Sequence, residues 1–530
     1  MLRTKSNVLR LACFLLVAAL CVLCFAACGD DSDEAGNSSG TNSNKPVGGT
    51  VNSGTSDGTE SGGTESGGTG DDKTEDTFLY QDYYEDTTLT ILCVETARHT
   101  YGELQFVPNE ESVYTKVSEA VKARNDLIEQ NHGLKIEIHS EKYPVEYLRD
   151  QVIAGGAEFD LVCESVDRMV QSVTESLFWS IEPEKLSLNS SWWDKEAMDA
   201  ISIAGRAYFI SGDALITDDD NIYLYLYNKE MYNNNTALTS RGDIYQIVKD
   251  GDFTLDLFKE MCVEASHPDE NGNWGFTATY GNLSHAYGAT VLVNGCNFAT
   301  VTTDPDTEDY FQINVVSGQG QTVFGKVFDI MSDKQLTQRA ELIIGMGSNP
   351  STYGFAELEE MFINGRGLFY NTTSSSISIL KRVDMSFDFG VLPTPKFDAE
   401  QDRYCNTVNA YQSSVLGIPI CCTNLDAAYV LLDALGYYST DVKKAYYEET
   451  LQLQTLAGED AEMLDLVYGS RFYDIGAFFN WGTGSNSLLN IYGSLISGST
   501  NELTSRWESA ESAIKQAMEE TVEAYRNSIT

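Results

Sequence analysis

Basic residues are scarce in this chain. In 530 residues, 34 Lys and Arg stand against 79 Asp and Glu, a formal charge of −45. A balance this acidic excludes a nucleic-acid partner and electrostatic attraction to anionic lipid. It suits neutral or cationic ligands, and equally a well-solvated surface. Histidine is scarcer still. The five (His99, His132, His139, His267 and His285) show neither HxxxH nor triad spacing, so zinc and His-assisted nucleophilic catalysis have no footing. No two cysteines beyond residue 28 have CxxC spacing, which leaves no metal or redox motif. Three partial motifs fail on their own chemistry. A GxSxG match at 36–40 has no strand and helix around it. A GxxxxGK match at 320–326 is followed by Val327, where a hydroxyl would hold magnesium. Asp269-Glu270-Asn271-Gly272-Asn273 spaces oxygen ligands like a calcium loop. Trp274 replaces its turn glycine and Tyr280 its closing Glu, so it reads as a plain turn.

The N-terminus is a targeting segment. Arg3, Lys5 and Arg10 precede an uninterrupted 17-residue apolar run, 11–27. Phe25-Ala26-Ala27-Cys28 resembles a lipobox, which implies cleavage before Cys28 and its acylation. An uncleaved signal anchor is the alternative. Either places the rest outside the cytoplasm, and cleavage would leave a charge of −48. Residues 29–76 are Gly, Ser, Thr, Asn, Asp and Glu with almost nothing apolar. This composition reads as a disordered tether spanning roughly 40 Å. The seven later cysteines, an odd number, lie mostly in apolar runs and read as small core residues.

From Leu89 the pattern is α/β. Apolar strands at 89–94, 134–138 and 159–163 alternate with amphipathic helices at 113–130 and 147–154, stopped by Gly133 and Gly155. Residues 221–227 alternate strictly, Ile222, Leu224 and Leu226 against Tyr223, Tyr225 and Tyr227, and read as a buried strand. The stretch 361–396 reads as helix end, strand (367–370), Asn/Thr/Ser loop, helix (377–383) and strand (387–392). In open α/β sheets ligands bind beyond the carboxyl ends of strands, which singles out Tyr370 and Asn371. Amides and hydroxyls there suit a neutral polyol, and an ordinary capped βα connection equally. The final helix carries Leu503, Trp507, Ala510, Ile514, Met518 and Tyr525 on one face.

These pieces also resemble a family, the extracellular solute-binding proteins of bacterial ABC importers (family 1, maltose-binding-protein-like). Phe362, Gly365, Gly367, Ser374, Leu380, Phe389, Gly390, Val391, Pro393 and Pro395 match its central pattern. Arg124, Asn125, Ile128, Glu129, Gly133, Ile136, Ala154, Gly155, Asp160, Leu161 and Val162 match the opening of its first lobe. Asn228-Lys229-Glu230-Met231, the Thr254-capped helix start and 463–474 match further pieces; Ser211 replaces a usual proline. The resemblance covers nearly all of 87–530. It implies a two-lobed periplasmic-binding-protein-like fold (type II), each lobe a mostly parallel sheet flanked by helices, with a ligand cleft between. The first lobe would comprise 87–213 and 400–455, the second 214–399 and 456–530, after a signal (1–27) and an acylated tether (28–86). By the same resemblance Glu164, Ser165 and Asp167 follow a cleft-facing strand, Asp213 sits in the first crossover, and Tyr280 and His285 fall where a cleft aromatic stands. Trp481 falls near a sugar-stacking position. Trp192-Trp193, Tyr437-Tyr438 and Tyr446-Tyr447 read mainly as packing.

The implied function is a lipid-anchored receptor at the extracytoplasmic face of the cell membrane. It captures a small solute by hinge closure and delivers it to ABC permease subunits. A monomer with no cofactor, no metal and no catalysis is expected. Sugars need stacking faces and planar hydrogen-bond partners, and 29 Tyr, 23 Phe and 6 Trp make carbohydrate the favoured solute. The negative charge leaves a polyamine or cationic peptide open. With 79 carboxylates a glycoside hydrolase using two of them stays open too, as does a sensing role.

Overall fold

The computed structural model describes residues 78–530 apart from 157, 306, 308–309, 452–457 and 528–530. The signal segment, Cys28 and the stretch 29–76 lie outside the described residues. Fourteen strands are described: β1 (Thr87–Val94), β2 (Leu134–Glu141), β3 (Leu161–Ser165), β4 (Phe209–Ile210), β5 (Tyr223–Asn228), β6 (Tyr280–Ser284), β7 (Val301–Thr303), β8 (Phe311–Ile313), β9 (Thr337–Arg339), β10 (Gly367–Thr373), β11 (Phe389–Leu392), β12 (Asn406–Thr407), β13 (Ser414–Gly417) and β14 (Arg471–Phe472). They form two five-stranded sheets, β2-β1-β3-β13-β4 and β11-β5-β10-β6-β9, and two ribbons, β7-β8 and β12-β14. In the first sheet β1 runs parallel to β2 and β3, and only β13 is reversed. In the second only β5 is reversed. The chain crosses from first sheet to second after β4 and returns after β11. The expected pair of mostly parallel sheets flanked by helices is therefore present.

Both sheets are covered on both faces, which explains their continuous apolar runs. In β1 and β3 the alternation is literal. Ile91, Cys93, Leu161 and Cys163 face Trp192, Trp193 and the helix Leu425–Tyr437, while Leu92 and Val162 join the other core cluster. All six residues of β5 are buried, and Tyr225 and Tyr227 are core, as expected. The helix Thr115–His132 ends at Gly133 in the left-handed region (φ 68°). A Cβ there would stand 2.0 Å from the Tyr84 carbonyl oxygen, so only glycine fits. Its first turn is capped from far away: Glu449 accepts from the Val117 amide at 3.0 Å.

Residues 78–86, placed in the tether by the expected domain division, pack against the first sheet's helices instead. Phe78 stacks on Tyr437 at 5.0 Å and meets His132 at 5.2 Å, and the Tyr80 hydroxyl donates to the Lys185 carbonyl at 2.6 Å. Their aromatic side chains bury enough area to order a segment that polar neighbours alone would leave loose. Residues 275–295 divide into two elements. The structure has strand β6 and then the helix Gly288–Gly295. Gly288 permits that sharp start, since a Cβ would stand 2.1 Å from Ser284 Oγ. Residues 320–326 lie inside the helix Gly318–Met331, and Asp269 accepts from the amides of Asn271 and Asn273 in its own turn. Neither is a phosphate or calcium loop. Among the described residues no helix is long and apolar enough to cross a membrane.

Candidate ligand site

The carboxyl ends of strands in the two sheets bring together polar and aromatic side chains. On the first sheet, Arg98 follows β1, Tyr143 follows β2, and Glu164 to Arg168 close and follow β3. Arg98 organises this edge. Its Nη1 lies 2.5 Å from Glu164 Oε1 and donates to the Lys142 carbonyl at 2.8 Å; its Nη2 donates to Ser165 Oγ at 3.1 Å. Arg168 pairs with Glu146. Both guanidiniums lie over the Tyr143 ring, at 5.0 and 4.4 Å. The Ser165 amide and hydroxyl also donate to Glu164 Oε1, each at 3.1 Å. Yet Glu164 Oε2 and Asp167 Oδ1, both buried, have no hydrogen-bond partner. Burial pushes the Glu164 carboxyl up, against the pull of Arg98 and Arg168, and raises that of Asp167 to about 6.

On the second sheet, Tyr223 opens β5, and His285 and Tyr287 follow β6. The three rings cluster: Tyr223 to His285 5.7 Å, Tyr223 to Tyr287 5.6 Å, and His285 stacked over Tyr287 at 6.0 Å and 12°. Tyr411, on the return crossover, meets Tyr287 at 6.2 Å. The Tyr287 hydroxyl is buried without a partner. Burial pushes its phenol up, and the nearby Tyr223, Asp474, Tyr411 and Asp167 groups push it further. The Asp167 amide donates to the Ala410 carbonyl at 3.2 Å, and the next residue, Tyr411, meets Tyr287, so the return crossover links Asp167 of one sheet to Tyr287 of the other. Burial lowers His285 to about 4 and His99 to about 3, the latter also through Arg98, so both imidazoles are neutral at pH 7. The site combines open carboxylate oxygens, a phenol, neutral imidazoles and ring faces. Its arginines are already engaged with carboxylates. Among the described residues no group of three or more His, Cys, Asp or Glu could hold a metal ion.

Of the residues singled out from sequence, Glu164, Ser165 and His285 meet here, with Asp167. The others do not. Tyr280 lies at the opposite, amino end of β6, against Trp274 at 5.4 Å. Strand β6, running on to Ser284, carries it away from the edge. Tyr370 packs on Phe362 at 5.2 Å, within the core. Asn371 cross-links strands, donating to the Leu224 carbonyl at 3.3 Å and accepting from Ser284 Oγ at 3.4 Å. Trp481 is 3 % exposed. It stacks on Phe479 at 4.8 Å and 8°, meets Phe311 at 4.7 Å, and donates from Nε1 to Thr521 at 2.9 Å. Neither face is open to a sugar. Arg98, Tyr143, Tyr223, Tyr287 and Tyr411 were missed. Arg98, Tyr143 and Tyr287 come shortly after a strand's carboxyl end, a position readable from sequence, whereas Tyr223 opens the reversed β5.

Asp213 belongs to a second cluster, at the crossovers. Lys443 reaches Asp213 at 2.6 Å and Asp219 at 3.6 Å. Arg471 reaches Asp194 at 3.0 Å, Asp219 at 3.1 Å and Asp218 at 3.6 Å, while Asp474 caps its own helix. The Tyr446 hydroxyl donates to Asp220 at 2.8 Å, and Tyr473 to Asp194 at 2.5 Å. Burial raises Asp218 and Asp220 each to about 7.

No protein-family model matches the chain, and no curated protein matches it in sequence. Solved structures do match. A cyclo/maltodextrin-binding protein in complex with maltotetraose is similar at a TM-score of 0.52 and 14 % identity, over 84 % of this chain and 98 % of that one. The apo form of RafE from Streptococcus pneumoniae matches at 0.49 and 13 %, over 83 % and 100 %. An ABC substrate-binding protein from Listeria monocytogenes in complex with cycloalternan matches at 0.47 and 12 %, over 83 % and 98 %. The first of these likenesses is one of fold: the chain has the two-lobed α/β architecture of maltose-binding-like proteins.

Proposed function

We propose that this chain is a solute-binding receptor of the family 1 type that captures a neutral carbohydrate between its two sheets. One observation carries the reading. Unpartnered acceptors on one sheet (Glu164 Oε2, Asp167 Oδ1) are linked through the crossover at Ala410 and Tyr411 to the unpartnered Tyr287 hydroxyl and stacked rings of the other. Buried polar atoms left open are costly unless a ligand completes them. Hydroxyl groups complete both kinds, and sugar rings have faces for the aromatics. A ligand bridging both sheets stabilises the closed form by its differential affinity for it. Arg98 and Arg168 beside the acceptors disfavour a polyamine. The first similar structure holds maltotetraose, which agrees with a sugar.

The receptor is anchored through Cys28 at the extracytoplasmic membrane face, acts as a monomer, and hands its solute to an ABC permease without chemical change. A thermal-shift screen of the chain against mono- and oligosaccharides, polyamines and short peptides tests this. Sugar at 100 times its Kd adds about 2.7 kcal/mol of stability. A salt-sensitive polyamine response with silence on sugars overturns the solute, and turnover of the sugar overturns the function. Globomycin-sensitive processing and palmitate labelling lost in Cys28→Ala test the anchor.

A further inference from the structure

Between β1 and the helix Thr115–His132 the chain makes a long excursion, residues 95–114, and folds it around a cleft of about 510 Å³. That volume lies in the range of small-molecule sites, roughly 300–1,000 Å³. The cleft is distinct from the strand-end site: none of Glu164, Asp167, His285 or Tyr287 lines it. Its walls have two characters. Glu103, Glu110 and Glu111 supply carboxylates, and among the described residues that line it there is no Lys, Arg or His. Val107, Pro108 and Val113 supply an apolar wall, continued by the ring of Tyr114. Val113 is 67 % exposed, a large apolar side chain kept in water.

The excursion is pinned to the helix that follows it. The Asn109 amide donates to Ser118 Oγ at 2.8 Å, and Ser118 Oγ donates to the Asn109 carbonyl at 2.9 Å. The Glu111 amide donates to Asn109 Oδ1 at 2.9 Å, the Tyr114 amide to Ser112 Oγ at 3.1 Å, and Thr96 Oγ1 to Glu103 Oε2 at 3.0 Å. The cleft therefore exists before a ligand arrives, and little ordering entropy opposes binding. The chain itself shows what the aromatic wall accepts. The Arg382 guanidinium, from the segment between β10 and β11 of the second sheet, lies over the Tyr114 ring at 4.8 Å. Two occupants from this protein are disfavoured by charge. A second copy carries −45, and in residues 28–77 Lys45 and Lys73 stand alone among many acids, so either would bring like charge to three carboxylates.

We propose that this cleft is a second ligand site and takes a small organic cation with an apolar stem, an alkylguanidine or alkylamine. Its charged ends meet the three carboxylates, and its stem lies on Val107, Pro108, Val113 and the Tyr114 ring. Titration calorimetry of agmatine and spermidine on the full chain tests it, with hexane-1,6-diol as the uncharged control. The cations bind and weaken as salt rises, and the diol does not bind. Glu110→Gln with Glu111→Gln, both exposed, weakens the cations about fivefold, the scale of two exposed ion pairs. Arg382→Ala strengthens them about twofold by taking a like charge off the same ring. Glu508→Gln with Glu519→Gln, which removes equal charge from the exposed face of the helix Leu503–Arg526, changes nothing. Equal weakening in both double variants reduces the effect to net charge and overturns the site. Cation binding lost in Asp167→Asn but kept in the Glu110 and Glu111 double variant belongs to the strand ends and overturns the cleft. No binding of either cation overturns it as well. Sugar titrations on the Glu110 and Glu111 double variant judge the carbohydrate reading separately, since neither residue belongs to the strand-end site.

Discussion

Two buried charge clusters sit near each other in the chain's plan and differ in one respect. At the crossovers, Asp194, Asp213, Asp218, Asp219 and Asp220 each have a named partner in Lys443, Arg471, Tyr446 or Tyr473. At the strand ends, Glu164 and Asp167 each keep an oxygen with no partner. A satisfied cluster fixes geometry. An unsatisfied one carries a free-energy debt that a ligand can relieve. Function and stability should therefore separate cleanly between the two.

Arg471→Met breaks the crossover cluster most severely. It leaves Asp194, Asp218 and Asp219 without their shared cation, and breaking a buried pair this way costs about 3–5 kcal/mol. Denaturant melts should show that loss, whereas solute affinity in the folded protein should change far less. An equal loss of affinity would mean the crossover cluster is part of the ligand site after all. The intact cluster also sets a pH dependence. Asp218 and Asp220 titrate at about 7 when folded, well above the ordinary aspartate range. The folded chain then binds more protons than the unfolded one, so stability falls as pH rises through 7. His285 and His99 work oppositely below about 6.5, because they are held neutral when folded. The clean window is therefore about pH 6.5 to 8, where melts should weaken with rising pH. Asp220→Asn should flatten that slope, and a slope unchanged by it would remove Asp220 from the account.

The architecture was legible because local signals agreed with it. Strict alternation gave β5, and Gly133 and Gly155 gave helix ends. Glu164 and Ser165 came from the family resemblance, which sets them just after an apolar strand; in the structure they close it. Tyr280 was placed by the resemblance alone, and the five residues of β6, roughly 17 Å long, set it at the other end of the sheet from His285. Trp481 was misplaced because an aromatic run such as Phe478, Phe479 and Trp481 has the same composition in a core as in a cleft. The crossover cluster was not legible at all. Its members come from 194, 213–220, 443 and 471, and only the folded chain brings them together.

At the ligand edge the expected effects are smaller for stability and larger for binding. Asp167→Asn keeps the shape but weakens the acceptor. Binding of the preferred sugar should fall about 10- to 100-fold, since hydrogen bonds to charged groups are worth about 1.5–3 kcal/mol. Melting temperature should hold or rise, because a buried carboxylate without a full set of partners has been neutralised. A destabilised Asp167→Asn with unchanged affinity would reverse the comparison and make this cluster structural.

Tyr287→Phe is the mildest probe and the most discriminating one. It removes the unpartnered hydroxyl and leaves the ring against Tyr223, His285 and Tyr411. A lost neutral hydrogen bond of about 1 kcal/mol should weaken sugar binding about fivefold. Combined with Asp167→Asn, the two losses should not add, because one bound solute bridges both groups across the sheets. Calorimetry on the single and double variants measures that coupling. Strict additivity would mean that Asp167 and Tyr287 touch different parts of the solute, and the bridge between the sheets would have to run through other residues.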